Sequence, residues 1–174
     1  MSKPRTHKPT VYLDTNIVSV LCYRGWSVST AHQHLMTREW WELERDRYDL
    51  RASRFTESEL QAGEFDAQSE ALAVVRRLRY LPFNAKVRSC GRQLLEERLV
   101  PAGKTGDALQ LAFATIHRMD YLLTWNYAHL ANPNVQRRLT ELCKRQGWRP
   151  PLLVSPETIP WAVYGQPIRR LDDA

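Results

Sequence analysis

The stretch KTGDALQLAFATIHRMDYLLTWN, residues 104–126, decides the fold. Thr105 is expected to cap a helix whose first turn contains Asp107. A carboxylate is stabilised there by the exposed N–H groups and by the positive end of the helix dipole. Apolar residues then recur at helical spacing as far as Ile116, which predicts a helix that packs into the interior.

The residues that follow this helix predict a strand. Residues 121–126 are a short apolar run with two aromatic rings, which is typical of an interior strand. A helix followed by a buried strand is half of a βαβ unit. In sheets built from such units, ligands bind beside the carboxyl ends of the strands, so Thr124 and Asn126 are expected at the rim of that crevice.

A second strand end of this kind occurs near the start of the chain. Residues 10–16 predict a buried strand that stops at an acidic, polar cluster containing Asp14. An apolar helix is expected from Ile17 to Tyr23, so Asp14 lies in a strand-to-helix turn. Two such ends indicate one shared site.

Acidic residues also open a later helix. Leu50 to Phe55 predicts a short strand, and the next helix begins with carboxylates in its first turns. Glu59 is the residue we select for the site. Glu57 and Glu64 are more simply explained as solvated side chains, although spacing alone does not exclude Glu57.

Composition indicates one globular domain with an anionic partner. The chain has 174 residues, a net charge of +6 and a pI near 9.5. Nucleic acid is the commonest partner of such a protein, and a basic surface that serves only solubility is the alternative.

The expected organisation is a disordered lead-in over residues 1–9, a domain over residues 10–155 with a helical insert at 24–50, and a tail over residues 156–174. The three cysteines are far apart and odd in number, which favours reduced thiols in a cytoplasmic protein. No apolar run approaches the roughly 18 residues of a membrane-spanning helix, and the basic N-terminal residues lack the apolar core of a signal peptide.

Three carboxylates carry the predicted chemistry. Asp14, Glu59 and Asp107 each lie at a junction between elements, and Asn126 lies at a fourth. Carboxylates held close together repel one another unless protons or metal ions neutralise them, and their hard oxygen atoms suit Mg²⁺ or Mn²⁺. In a basic protein this predicts hydrolysis of a polynucleotide phosphodiester bond. Taken singly, each residue is better explained as a helix cap or a solvated side chain, because carboxylates at helix N-termini are common.

The order of these residues resembles the four signature blocks of PIN-domain proteins, and most closely the VapC-like group. The blocks are Leu13-Asp14-Thr15-Asn16, residues 53–60, Gly106-Asp107-Ala108 and residues 122–126. The resemblance implies an α/β fold of three layers, α/β/α, with a mostly parallel central sheet. It also implies a Mg²⁺- or Mn²⁺-dependent ribonuclease that acts on RNA, frequent homodimers and, for the toxins of type II toxin–antitoxin pairs, an antitoxin protein.

The resemblance also assigns roles. Asp14, Glu59 and Asp107 would be the metal-binding carboxylates, and Thr124 would orient a ligand or water. Asn126 stands where the family commonly has aspartate, and an amide binds a cation more weakly than a carboxylate does. Gln110, one turn after Asp107 on the same helix face, can reach the pocket.

Two alternatives to a nuclease remain. Asn126 motivates a catalytically weak PIN-fold module that binds RNA or a protein. The strand-end Asp14 motivates a receiver-like module in which this residue accepts phosphate, although the sequence lacks a convincing lysine after a later strand.

Overall fold

The computed structural model describes residues 7–25 and 27–165. Within these ranges the elements are, in chain order, β1 Thr10–Leu13, α1 Thr15–Leu21, α2 Val28–Leu43, β2 Asp49–Ser53, α3 Arg54–Ala62, α4 Gln68–Val75, β3 Arg79–Leu81, α5 Ala85–Glu96, α6 Thr105–Ile116, β4 Tyr121–Leu123, α7 Pro133–Gln146 and β5 Leu152–Val154. Short 3₁₀ helices occur at Arg45–Arg47 and Ala162–Tyr164. None of the helices in the described ranges combines the length and the apolar character that a bilayer crossing requires.

The strands form one parallel sheet in the order β3-β2-β1-β4-β5. Parallel neighbours need crossover connections, which place helices on the faces of the sheet. Side chains alternate along the strands: Tyr12 and Leu122 pack with α5, α6 and α7, while Leu13 and Leu123 pack with α1 to α4. The predicted three-layer α/β/α fold is therefore confirmed, and the sheet is parallel throughout.

Helix α2, which the sequence presents as an insert, forms part of one helical layer. Trp40 is fully buried in the core that this layer shares with the sheet. The indole Nε1 of Trp125, just beyond β4, donates to Thr37 Oγ1 at 2.8 Å. Helix α2 is thus joined to the carboxyl end of the sheet by packing and by a buried hydrogen bond.

The segment after β5 is also part of the core. Ile159 and Trp161 are buried against the same layer. Glu44, which is fully buried, accepts hydrogen bonds from the backbone N–H groups of Ala162 at 3.1 Å and Val163 at 2.8 Å. The packed part of the chain therefore continues past residue 155, where the sequence analysis ended the domain. Residues 166–174 of the expected tail and residues 1–6 of the expected lead-in lie outside the described residues.

The structure corrects three element boundaries beside the crevice. Strands β1 and β4 end at Leu13 and Leu123, before the polar residues that the sequence analysis included in the strands. Thr105 is the first helical residue of α6 and not its cap. A turn closed by a hydrogen bond from Lys104 N–H to Pro101 C=O, at 3.1 Å, leads directly into the helix.

The structure also shortens one predicted helix. The amphipathic pattern of residues 67–80 predicts one helix, and Pro82 predicts that the brief strand after it lies near a sheet edge. In the structure the helix ends at Val75, and residues 79–81 form β3 at the edge of the sheet. The backbone of Arg79, Tyr80 and Leu81 pairs with β2, which removes these residues from the helix. The edge position agrees with Pro82, which has no N–H group to donate to a further strand.

Candidate active site

The crevice forms where β1 and β4 end side by side. The backbone N–H of Asp14 donates to Leu123 C=O at 3.0 Å, which continues the ladder by one bond. Thr124 Oγ1 then donates to Asp14 Oδ2 at 2.6 Å, and both side chains are buried. Two predicted site residues, from positions 110 residues apart in the chain, are thereby in direct contact.

Asn16, which the sequence analysis did not assign to the site, forms hydrogen bonds with both Asp14 and Thr124. Its Nδ2 donates to Asp14 Oδ2 at 2.8 Å and to Thr124 Oγ1 at 3.1 Å. Its Oδ1 accepts from the backbone N–H of Trp125 at 3.0 Å. The available signal was a polar residue two positions after Asp14 in the same turn. Asn16 fixes the orientation of the Asp14 carboxylate.

Glu59 reaches the crevice from α3, and hydrogen bonds hold it there. The hydroxyl of Thr15 donates to its carboxylate. Gln110 Nε2 donates to Glu59 Oε2 at 2.7 Å and to Thr15 Oγ1 at 2.9 Å. The predicted approach of Gln110 to the pocket is confirmed. Its Oε1 is buried and has no hydrogen-bond partner among the described residues.

Gly106 allows the start of α6 to lie against Glu59. A Cβ atom at this position would lie 3.0 Å from Glu59 Oε1, which is closer than side chains normally tolerate. The absence of a side chain at Gly106 therefore lets α6 bring Asp107 into the neighbourhood of the Glu59 carboxylate.

Asp107 is half-buried in the first turn of α6, and its nearest partner is a residue that the sequence analysis did not select. Asp107 Oδ2 lies 2.9 Å from His129 Nδ1. The backbone N–H of His129 in turn donates to Asn126 Oδ1 at 3.0 Å. Asn126, the predicted fourth site residue, thus uses its side-chain oxygen to shape the turn that carries His129.

The three carboxylates interact electrostatically. The pKa of Asp14 is raised from 3.8 to about 6, chiefly by burial and also by the negative charges of Glu59 and Asp107, against the lowering effect of the Thr124 hydrogen bond. Like charges raise a carboxyl pKa only when they are near enough to repel it. Both predicted partners therefore act electrostatically on Asp14, and the grouping of the three carboxylates as one metal site stays a prediction.

Glu57, which spacing alone did not exclude, belongs to a separate ion-pair cluster. Its carboxylate accepts from Arg76 Nε at 2.7 Å, from Arg54 at 2.9 Å and from the Tyr80 hydroxyl at 3.1 Å. The hydrogen bond from Arg76 is the main cause of a lowered Glu57 pKa. Glu59, and not Glu57, lies at the crevice.

The oxygen atoms at the crevice are chemically suited to bind a hard divalent cation. Carboxylate oxygens predominate, the Gln110 Oε1 atom is buried without a partner, and the raised pKa of Asp14 favours a proton or a cation at this position. The present arrangement is not a finished metal site. Within the described ranges, no three His, Cys, Asp or Glu side chains are grouped so that they could hold a metal ion. Each carboxylate is instead held by its own hydrogen bonds.

Two solved structures have a similar fold. One is a chain of VapBC2 from Rickettsia felis, in a complex with a DNA fragment from the VapBC2 promoter. It gives a TM-score of 0.54 at 20% identity over 84% of this chain and 98% of that chain. A chain of a toxin–antitoxin complex from Klebsiella pneumoniae gives 0.54 at 17% identity over 84% and 97%. No protein-family model and no curated protein matches the sequence. The likeness establishes the fold, which is the PIN-like fold that the VapC-like resemblance implied.

Proposed function

We propose that this chain is a Mg²⁺- or Mn²⁺-dependent endoribonuclease that hydrolyses RNA phosphodiester bonds and acts as the toxin of a toxin–antitoxin pair. The observation that carries the proposal is the buried carboxylate of Asp14, which accepts hydrogen bonds from Thr124 and Asn16 and whose pKa is raised by burial and by the charges of Glu59 and Asp107. The negative charge at the crevice can attract a metal cation, while the net charge of +6 on the protein can attract a polyanion such as RNA.

Asp14, Glu59 and Asp107 would hold the cation, with Gln110 Oε1 as a neutral oxygen near them. When bound, a divalent cation lowers the pKa of water and offsets the charge that develops on a phosphate in the transition state. Thr124 and Asn16 keep the Asp14 carboxylate in one orientation through their hydrogen bonds. The bonds from Thr15 and Gln110 do the same for Glu59.

The proposed partners are RNA, an antitoxin protein and a second copy of the chain, and the proposed location is the cytoplasm. The antitoxin is supported by the two structures of similar fold, one described as VapBC2 and the other as a toxin–antitoxin complex. A homodimer is supported by exposed apolar side chains one heptad apart on α2, Val28 at 88% and Leu35 at 65% exposure.

The test is cleavage of single-stranded RNA by purified protein in Mn²⁺. We expect wild-type protein to cleave, and both EDTA and Asp14→Asn to abolish cleavage, while the circular dichroism spectrum of the variant stays native. Expression of wild-type protein in bacteria should arrest growth, and expression of Asp14→Asn should not. Cleavage by Asp14→Asn at the wild-type rate, or full growth arrest when this variant is expressed, would contradict the proposal.

A second candidate function is a PIN-fold binding module without significant catalysis. Two observations favour it: Asn126 Oδ1 is occupied by the N–H of His129, and no group of three metal-ligating side chains is assembled among the described residues. Calorimetric titration with Mn²⁺ separates the candidates. Stoichiometric Mn²⁺ binding that Asp14→Asn abolishes, together with RNA cleavage, contradicts the binding module. RNA binding without Mn²⁺ binding or cleavage supports it.

A further inference from the structure

An open groove of about 680 Å³ lies beside the segments that lead into β4 and β5. It is lined by the first turns of α5, by the end of α6 and by residues 147–150, which lead into β5. Its volume is within the range of sites that bind small molecules. The residues that form the proposed nuclease site do not line it.

The groove is positively charged. Its lining includes Lys86, Arg118 and Arg149 and contains no aspartate or glutamate. Arg149 donates to Asp120 at 2.6 Å, so its charge is partly neutralised. Lys86 and Arg118 are exposed, and neither side chain forms an ion pair with any residue in the described ranges. Two cations are therefore available to an anionic ligand.

An aromatic ring lies beside these cations. Trp148 lines the groove and is half-buried, with part of its indole packed against the core. A ring anchored in this way forms a rigid surface against which a nucleic-acid base can stack, while nearby cations bind the phosphates. An acidic polypeptide would also satisfy the cations, but a nucleic acid supplies a flat base next to every phosphate.

A second basic cleft, on the other face of the sheet, is less suited to this role. Lys8, Arg77 and Arg79 line it together with Trp41, Arg45 and Asp46. The guanidinium of Arg45 already lies 5.4 Å from the centre of the Trp41 ring. Because this ring has a cation over it and the cleft contains a carboxylate, the groove at Trp148 is the better candidate for a polyanion with bases.

We propose that the groove binds single-stranded RNA, with phosphates at Lys86 and Arg118 and a base against Trp148. The inference rests on the proposed function for the identity of the nucleic acid. Asp107 and Thr115, which lines the groove, lie on the same helix eight positions apart, so about 12 Å separates them along its axis. The groove thus holds substrate RNA at a distance from the bond that is cut.

Two double variants with the same loss of charge test the proposal. Arg118 and Arg98 both follow helix ends in the left-handed region, at φ 55° and 50°, where glycine is not strained. Lys86→Ala with Arg118→Gly alters the groove. Arg92→Ala with Arg98→Gly alters exposed cations of α5 and its C-terminal turn outside the groove. Both variants should remain folded.

The measurement is the fluorescence anisotropy of a labelled single-stranded oligoribonucleotide in EDTA. We expect the groove variant to bind about tenfold more weakly, and the slope of log K against log salt to fall by about 1.4, for two lost contacts with a single strand. The control variant should bind within about threefold of wild type, as expected for diffuse charge. Wild-type affinity in the groove variant, or equal weakening in both variants, overturns the proposal.

Two further measurements complete the test. RNA should quench tryptophan fluorescence in wild-type protein and quench it less in Trp148→Phe. An oligoglutamate that competes as well as RNA of equal charge would instead identify an acidic protein partner and overturn the proposal. In the cleavage assay the groove variant should show a raised KM with little change in kcat. If wild-type protein binds RNA through the groove but never cleaves it, the nuclease proposal fails and this inference stands.

Discussion

Gln110 on α6 donates from Nε2 to Glu59 Oε2 at 2.7 Å, and this bond joins helices that lie on opposite faces of the sheet. Gln110 also donates to Thr15, so one amide fixes two groups at the crevice. The amide oxygen of the same side chain has no hydrogen-bond partner among the described residues. The position of Glu59 therefore depends on a residue from the other helical layer.

Gln110→Leu should separate the role of this residue in the crevice from its role in the fold. The substitution removes two hydrogen bonds and also an unpaired buried oxygen, so the net change in unfolding free energy should be within about 1 kcal/mol. Cleavage should fall by about tenfold or more, because Glu59 loses its orientation. Urea unfolding and initial cleavage rates measure the two effects. Gln93→Leu on α5 is the control, and equal cleavage by both variants would refute the role of Gln110.

Asp14→Asn should change the pH dependence of stability. The pKa of Asp14 is raised from 3.8 to about 6 by folding, so its contribution is fully present below pH 4 and is lost as pH rises through 6. About two pKa units correspond to about 3 kcal/mol. Between pH 4 and pH 7, the unfolding free energy of wild type should fall by about this amount relative to the variant. If urea titrations show that the unfolding free energies of wild type and variant change in parallel with pH, Asp14 does not lie in the buried, charged environment described.

Glu57→Gln should lower stability without changing cleavage, and Glu59→Gln should abolish cleavage without lowering stability. Glu57 is bonded to Arg76, Arg54 and Tyr80, so its replacement should lower the unfolding free energy by about 1–2 kcal/mol and leave the cleavage rate of folded protein unchanged. Glu59→Gln should abolish cleavage with little effect on stability. Each variant controls for the other when unfolding and cleavage are measured together. The same loss of cleavage in both would show that the ion-pair cluster also serves the reaction.

Asn126→Asp should strengthen binding of Mn²⁺. A carboxylate can accept the N–H of His129 as the amide oxygen does now, so the turn should be retained. The added negative charge close to the crevice should lower the Kd for Mn²⁺ by several-fold. Calorimetry measures the Kd, and Asn134→Asp on α7 supplies the same charge elsewhere. Equal gains in both variants would indicate a general effect of net charge.

The fold could be predicted because its signals are local in the chain. The apolar runs at β1 and β4 are short and bounded by polar residues, as interior strands of a parallel sheet are, and Pro82 marked the edge. Asp14, Asp107 and Glu59 could be selected because each lies next to an element boundary. These signals needed no knowledge of distant contacts.

The missed contacts are between residues far apart in the chain. His129 meets Asp107 through a turn shaped by Asn126, and no periodicity reports the path of such a turn. Glu44 binds backbone N–H groups 118 and 119 residues later, so its side chain looks like any solvated glutamate in the sequence. The boundary of α6 depends on a backbone turn at Pro101, which side-chain patterns do not encode.

The burial of Trp40, and the hydrogen bond from Trp125 to Thr37, have a practical consequence for protein engineering. In the sequence, helix α2 looks like an insert that could be deleted. In the structure it packs into the hydrophobic core, and Glu44 at its end binds the segment after β5. Grafting the catalytic framework onto a smaller scaffold would have to carry α2 and the chain as far as Trp161 along with it.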